Sequence, residues 1–174
     1  MITQKSNGVD HGTQEVTNAQ RTSPYKTIYE DFLRTQVAGH THALTITLRN
    51  DSPTELLQNR RARLEETIRH MLYRIGRKCF KNRHKRYGLR IGSTVVIENG
   101  SHQNRLHAHL TLKCPDGMLS EQFESTVVAA VTRCKSLGQQ CVIKRITDSD
   151  GWASYMAKDG PEAFSPQCTQ HAKH

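Results

Sequence analysis

Two histidines flank one small residue in the segment His107-Ala108-His109. On a β-strand, side chains two residues apart point to the same face of the sheet, so both imidazoles would lie side by side. Paired imidazoles on a rigid strand can bind one divalent metal ion. The alternative interpretation is two surface histidines without a ligand.

Glu98 stands at the end of the preceding predicted strand, directly before the turn signal Asn99-Gly100. If the antiparallel hairpin brings Glu98 opposite or near His107 or His109, its carboxylate joins the same face. Two histidines and one carboxylate leave coordination positions open for water or a phosphate oxygen, which is typical of a catalytic metal site. An ordinary solvated carboxylate beside a turn is the alternative.

A tyrosine and a lysine share one helix face in the segment Tyr155-Met156-Ala157-Lys158. A tyrosine hydroxyl is a weak nucleophile until a nearby cation stabilises its phenolate, and a metal on the electrophile reduces the activation needed. This spacing predicts a nucleophile with a positive group beside it. The alternative is that Trp152, Tyr155 and Met156 simply pack the helix onto the sheet.

The elements that position these residues follow from the apolar periodicity of the chain. Alternation predicts four strands, and spacing of three to four predicts helices between and after them. The strands are predicted at residues 42–49, 90–98, 106–112 and 141–146, and the helices at about 53–80, 120–134 (ended by Gly138) and 149–158. The order β-α-β-β-α-β predicts an α+β fold, an antiparallel sheet of ferredoxin-like or RRM-like topology. Helices would cover one face, the other face would stay open, and the terminal helix would carry Tyr155.

The chain has 174 residues, which suits one ordinary domain. Residues 1–40 are predicted to be a flexible leader containing a short helix from about Tyr25 to Val37. Residues 41–160 form the predicted catalytic domain, and residues 161–174, with Pro161 and Pro166, a flexible tail.

The positive charge of the chain favours a polyanionic partner, most simply nucleic acid. Twenty-five Lys and Arg against sixteen Asp and Glu give a net charge of +9. The segment 60–90 holds twelve of these cations and only two acids, and it continues past the long helix into a predicted loop over residues 81–87. Sequence-independent phosphate contacts are therefore predicted there. The predicted nucleic-acid-binding residues are Arg77, Lys78, Lys81, Arg83, Lys85 and Arg86, together with Thr45 and Thr47 on the first strand.

The cysteines and the hydropathy pattern exclude several other classes of protein. The five cysteines are odd in number and show no CxxC spacing, which argues against a disulfide framework or a cysteine-based zinc site. We expect reduced thiols in a cytoplasmic protein. No apolar run reaches the roughly 20 residues of a membrane span, and residues 1–20 lack the pattern of a secretion signal.

Taken in order, Glu98-Asn99-Gly100, His107-Ala108-His109 and Tyr155-Met156-Ala157-Lys158 resemble the motifs of single-tyrosine HUH endonucleases. The tyrosine follows the histidine pair, as in rolling-circle replication initiators (Rep proteins) and single-tyrosine transposases, and the Tyr-x-x-Lys spacing favours the initiators. The resemblance covers about residues 42–160. The first strand, Ala43-Leu44-Thr45-Ile46-Thr47, keeps only Leu-Thr of the aromatic-rich first motif of the family.

The resemblance implies site-specific nicking and joining of single-stranded DNA at a replication origin, including one presented as a hairpin, of a plasmid or phage. His107, His109 and Glu98 would bind Mg²⁺ or Mn²⁺. Tyr155 would form a 5′-phosphotyrosine, and Lys158 would position the phosphate or stabilise the phenolate. No Walker A motif is present, so a separate helicase would unwind the duplex. The alternatives are a transposase of the same superfamily and a non-catalytic nucleic-acid-binding module.

Overall fold

The computed structural model describes residues 24–49, 54–99 and 105–173. The predicted strands and helices occur in the order that the sequence predicts, and two further short helices are present. In chain order they are α1 (Pro24–Val37), β1 (His42–Leu48), α2 (Leu57–Phe80), α3 (Asn82–Tyr87), β2 (Ser93–Asn99), β3 (Leu106–Leu112), α4 (Ser120–Thr132), β4 (Leu137–Arg145), α5 (Ser149–Met156) and a short 3₁₀ helix (Pro161–Ala163).

The strands form one open antiparallel sheet in the order β2-β3-β1-β4, so the α+β prediction is confirmed. β1 pairs with both β3 and β4, and β2 pairs with β3. Gly138 lies inside β4 rather than at a helix end, so this strand begins earlier than predicted. The predicted turn of the β2–β3 hairpin falls at residues 100–104, outside the described residues.

One face of the sheet carries the main hydrophobic core, under α2 and α4. Alternate residues of β3, including Ala108 and Leu110, point into it, as their period of two predicts. Ile68 and Ile75 of α2 and Phe123 of α4 are fully buried against them. The apolar residues of α2 and α4 that recur at helical spacing are the ones buried in this layer.

The opposite face is partly covered, so the prediction of helices on one face only is wrong, although Val142 of β4 on this face is 50% exposed. Tyr29, Leu33 and Val37, spaced by four along α1, form a second small core with Val96 of β2 and Met156 of α5. This apolar stripe has to be buried, and the sheet face beside α5 is where it packs. Residues 24–37, assigned to the leader above, therefore pack on the sheet, while residues 1–23 lie outside the described residues.

The segment after α5 also differs from the expectation of a tail. It lies along the outer edge of β2, through isolated bridges at Val96–Phe164, Ser93–Gln170 and Arg90–Lys173. The segment contains few apolar residues, and backbone hydrogen bonds hold it, because the edge strand offers unpaired N–H and C=O groups.

The predicted loop at residues 81–87 is instead the short helix α3. Lys81 has a φ of +50° and separates α2 from α3, and Gly88 ends α3 in the left-handed conformation with a φ of +65°. In the parts of the chain that the structure describes, no helix is long and apolar enough to cross a membrane. All five cysteines are free thiols.

Candidate active site

The β2–β3 hairpin brings the first two motifs together on the face that α1 and α5 cover. In the observed register, Glu98 lies directly opposite His107, and Val96 lies opposite His109. Cross-strand partners point to the same face, so the carboxylate and both imidazoles share it. The predicted placement of Glu98 beside the histidine pair is confirmed.

Tyr155 reaches the same place from α5. Its hydroxyl oxygen Oη lies 3.3 Å from Nε2 of His109, and the two rings meet edge to face with centroids 5.0 Å apart. Met156 on the other side of the helix is fully buried, whereas Tyr155 is 42% exposed. The packing role therefore falls to Met156, and Tyr155 stays partly exposed beside the histidine.

Lys158 joins the tyrosine to the carboxylate. Its Nζ lies 2.8 Å from Oε2 of Glu98 and 4.1 Å from the centroid of the Tyr155 ring. A cation over an aromatic face and beside a carboxylate is favourable with both partners. Lys158 is thus held in place by the two groups whose charge it can balance.

Glu98 is a buried carboxylate, only 7% exposed, with a polarised environment. Burial raises the pKa of this carboxyl, but its hydrogen bonds and electrostatic interactions with His109 and Lys158 outweigh that effect and leave the pKa below its ordinary value. Burial likewise lowers the pKa of Lys158, and its contacts with Glu98 and Tyr155 turn the net shift upward. The pair therefore stays ionised at neutral pH.

His109 contacts three neighbours through its two ring nitrogens. Nδ1 lies 3.0 Å from Oγ1 of Thr45 on β1, and Nε2 lies 3.3 Å from both Oε2 of Glu98 and Oη of Tyr155. A threonine hydroxyl can donate or accept, so it can hold either tautomer of the ring. Thr45, predicted above as a nucleic-acid-binding residue, is placed to orient His109, and its neighbour Thr47 is largely buried opposite His107.

The side chains around Glu98 can be compared with the ligands that a divalent cation prefers. Oε1 of Glu98 is buried without a hydrogen-bond partner, and the unused oxygen of a buried carboxylate is a suitable metal ligand. Among the described residues, however, no three His, Cys, Asp or Glu side chains already converge as a ligand group. Glu98 and His109 are in contact, while His107 lies beside them on the same face. The residue types fit a divalent metal ion. In this structure the positive charge next to Glu98 comes from the ammonium group of Lys158.

Two contacts that the sequence analysis missed hold α5 and the segment after it in place. Arg61 of α2 donates to the backbone carbonyls of Glu162 and Phe164, at 2.9 and 2.8 Å. Ser154 of α5 donates to the carboxylate of Glu30 on α1. No local sequence signal indicates either contact, because the partners lie about 100 or more residues apart.

The second histidine pair in the chain, His40 and His42, does not converge. Nδ1 of His40 lies 2.8 Å from Oγ1 of Thr111, whereas Nε2 of His42 lies 3.3 Å from Glu124 on α4. The two rings therefore serve opposite faces of the sheet, and a shared metal site at this pair finds no support.

The predicted phosphate-binding residues form an exposed basic surface away from Tyr155. α2 packs on the opposite face of the sheet from α5, and Arg77 and Lys78 stand in its last turn. Lys81 and α3 continue this surface. All of these side chains are exposed: Arg77, Lys78, Lys81, Arg83, Lys85 and Arg86.

Comparison of the chain with models of protein families, with curated proteins and with solved structures finds no match.

Proposed function

We propose that this protein is a metal-dependent endonuclease that nicks and rejoins single-stranded DNA through a 5′-phosphotyrosine, as initiators of rolling-circle replication on a plasmid or phage do. The observation that carries the proposal is the convergence of three separate motifs. Tyr155 lies within 3.3 Å of His109, and Lys158 connects it to Glu98. The strand order β4-β1-β3-β2 is also that of the ferredoxin-like topology, which the HUH endonucleases share.

In this proposal, Tyr155 is the nucleophile. Its Oη forms a bond to phosphorus, the bond from phosphorus to the 3′ oxygen breaks, and the 5′-phosphate stays on the tyrosine. The tyrosine proton passes to water, since Tyr155 is partly exposed to solvent. The leaving 3′ oxygen takes a proton from water. The free 3′-OH then primes synthesis or attacks the phosphotyrosine to reseal the strand.

Lys158 balances the negative charge that develops on the tyrosine oxygen and the phosphate. Glu98 fixes the ammonium group of Lys158, and His109 lies against the tyrosine hydroxyl. Glu98, His109 and His107 are the residues that would bind Mg²⁺ or Mn²⁺, which when bound polarises the scissile phosphate and offsets its charge. Thr45 orients the His109 ring from the side away from the tyrosine.

A non-catalytic nucleic-acid module would need an open sheet face for stacking bases. In this structure α1 and α5 cover the β2–β3 side of that face, and the buried groups there include the carboxylate of Glu98 and the imidazole of His109. These features favour chemistry at this face over base stacking.

The decisive experiment is formation of a covalent adduct. The protein is incubated with Mn²⁺ and a pool of single-stranded oligonucleotides labelled at the 3′ end, because the 3′ fragment is the one that stays on the tyrosine, and the products are separated on a denaturing gel. We expect labelled protein from the wild type and none from Tyr155→Phe, which removes one oxygen and no charge.

Tyr87→Phe is the matched control, because Tyr87 is another exposed tyrosine and lies in the basic surface. It should form the adduct as the wild type does. An adduct that persists in Tyr155→Phe would move the nucleophile elsewhere, and no adduct from any variant would favour the non-catalytic module.

A further inference from the structure

A cavity of about 450 Å³ opens between α2, α3 and the C-terminal segment. Its polar lining combines aromatic rings, cations and amides: Arg69, Tyr73, His84, Lys85, Arg90 and Gln170. None of the lining residues found in the described chain carries a carboxylate. The cavity adjoins the beginning of β2, whereas Glu98 stands near the end of that strand, about 17 Å away. It is therefore separate from the site of Tyr155.

The aromatic wall of the cavity is built in a fixed geometry. Nδ1 of His84 donates to the carbonyl of Leu89 at 2.6 Å, and the ring packs on Gly76, where an added Cβ would come within 3.1 Å. The Tyr73 ring meets His84 edge to face at 5.0 Å, yet Tyr73 is 54% exposed. An exposed aromatic ring held against a fixed imidazole offers a stacking surface for a flat ligand.

The cations around this wall are not neutralised by the protein. Arg69, Lys85 and Arg90 are exposed, and none of the ion pairs seen in the described residues involves them. A fourth cation stands at the rim, because the ammonium of Lys173 would lie 3.8 Å from a Cβ at Gly88. Positive charge beside an aromatic surface suits a ligand that joins a ring to an anion.

We infer that this cavity binds one nucleotide unit of a single-stranded nucleic acid. The base stacks on the exposed ring of Tyr73, which His84 meets edge to face, the phosphate contacts Arg69 and Lys85, and Gln170 lines the same cavity with an amide that can hydrogen-bond a base edge. The cavity volume is within the range of small-ligand sites. The inference rests on the proposed function for the identity of the strand as DNA, and it gives the enzyme an anchoring site remote from the scissile phosphate.

The test is a binding measurement on Tyr155→Phe protein without metal, so that no cleavage takes place. The probes are a fluorescent 15-nucleotide oligothymidylate and, separately, thymidine monophosphate. We expect Tyr73→Ala to weaken oligothymidylate binding about tenfold, the range of one lost base–aromatic stack. The exposed side chain can be removed without disturbing the core. Tyr25→Ala, at an exposed tyrosine of α1 outside the cavity, should change the affinity less than about twofold.

A second pair of variants tests the phosphate contact. The double variant Arg69→Gln with Lys85→Gln should bind the oligothymidylate more weakly. The slope of the logarithm of its binding constant against the logarithm of the salt concentration should become shallower by about one. Tighter Tyr73-dependent binding of the oligonucleotide than of the mononucleotide supports the strand as ligand, and the reverse order assigns the cavity to a free nucleotide.

Equal affinities of Tyr73→Ala and Tyr25→Ala for the oligothymidylate would overturn the inference. It would also be overturned if Tyr73→Ala weakened binding of a polyglutamate peptide as much as binding of the oligothymidylate, because base recognition would then be absent. These outcomes are independent of the covalent chemistry. A wild-type adduct with unchanged Tyr73→Ala binding removes only the cavity inference, whereas Tyr73-dependent binding without any adduct removes only the proposed nuclease activity.

Discussion

The two faces of the sheet are packed in different ways. Among the described residues, the core under α2 and α4 contains 22 buried hydrophobic residues, and the buried ring of His42 packs against Phe123 beside them. Under α1 and α5, a core of only eight buried residues adjoins Glu98 and His109, which are buried and charged or polar. A buried polar group costs free energy unless its hydrogen-bond partners are in place. The stability of the second face therefore depends on specific contacts, whereas that of the first depends on the apolar area that it buries. One face therefore carries most of the stability, and the other carries the candidate chemistry.

The largest expected effect of a substitution is on the α5 face. His109→Gln removes the imidazole that contacts both Glu98 and Tyr155, and we expect the yield of covalent adduct to fall by about a hundredfold or more. Gel quantification measures the adduct, and thermal unfolding checks that the core under α2 and α4 is intact.

Chelation gives an independent measure of the same site. EDTA should abolish adduct formation by the wild type, and added Mn²⁺ should restore it. EDTA-resistant cleavage would show that the histidines act as acid and base rather than as metal ligands.

The second prediction concerns the apolar face. Phe123→Ala removes a fully buried ring from the core between α4 and the sheet, and it should lower the free energy of unfolding by about 3–5 kcal/mol. Chemical denaturation measures the change. The adduct yield per folded molecule should stay near the wild-type value, because Phe123 is on the opposite face from Tyr155.

Leu33→Ala on α1 supplies the contrast. It should cost less stability, about 2–3 kcal/mol, yet reduce the adduct yield, because α1 supports α5. If both variants lose stability and activity in the same proportion, the division of labour between the faces does not hold.

The sequence predicts the apolar face well because its signal is local. Ala108 and Leu110 alternate with polar residues, and Ile68 and Ile75 recur at helical spacing, so each element indicates its own buried side. The short connection between Glu98 and His107 also makes their pairing predictable, since the hairpin register leaves few options. These parts of the fold and site require no knowledge of distant partners.

The second face could not be predicted from the sequence because its contacts are distant in the chain. The stripe Tyr29, Leu33 and Val37 indicates an amphipathic helix but not which surface it covers. The C-terminal segment is held by backbone hydrogen bonds to β2, and Arg61 binds carbonyls about 100 residues away. Neither type of contact leaves a pattern in side-chain hydrophobicity.

The third prediction uses a histidine beside the second face. Burial lowers the pKa of His40 to about 4, and the positive charges of Lys113 and His171 add to the shift. In the unfolded chain the same group titrates near its ordinary value of about 6.5, so between pH 4 and 6.5 the unfolded state binds more protons. Stability therefore falls as the pH drops through this window, by about 3 kcal/mol from this residue.

His40→Gln keeps a hydrogen-bonding group for Thr111 and removes the titration. Denaturation at pH 7 and pH 4.5 should show a smaller difference for the variant than for the wild type. The slope that remains belongs to other groups, including His42, whose pKa is also lowered by burial. An unchanged slope would mean that His40 is solvated and does not contribute.

The smallest expected effect tests whether a single hydrogen bond on the second face serves the chemistry. Thr45→Val removes the partner of Nδ1 of His109, and loss of such an orienting contact typically reduces activity about tenfold. The cost in stability should be only about 1 kcal/mol.

Thr94→Val is the matched control, because the hydroxyl of Thr94 donates to the carbonyl of Gln36 on the same face without touching His109. It should lose similar stability and keep the wild-type adduct rate, and Thr45→Ser, which retains the hydroxyl, should recover most of the activity. Equal adduct rates in the two valine variants would show that Thr45 only stabilises the strand pair and that His109 is oriented by Glu98 and Tyr155 alone.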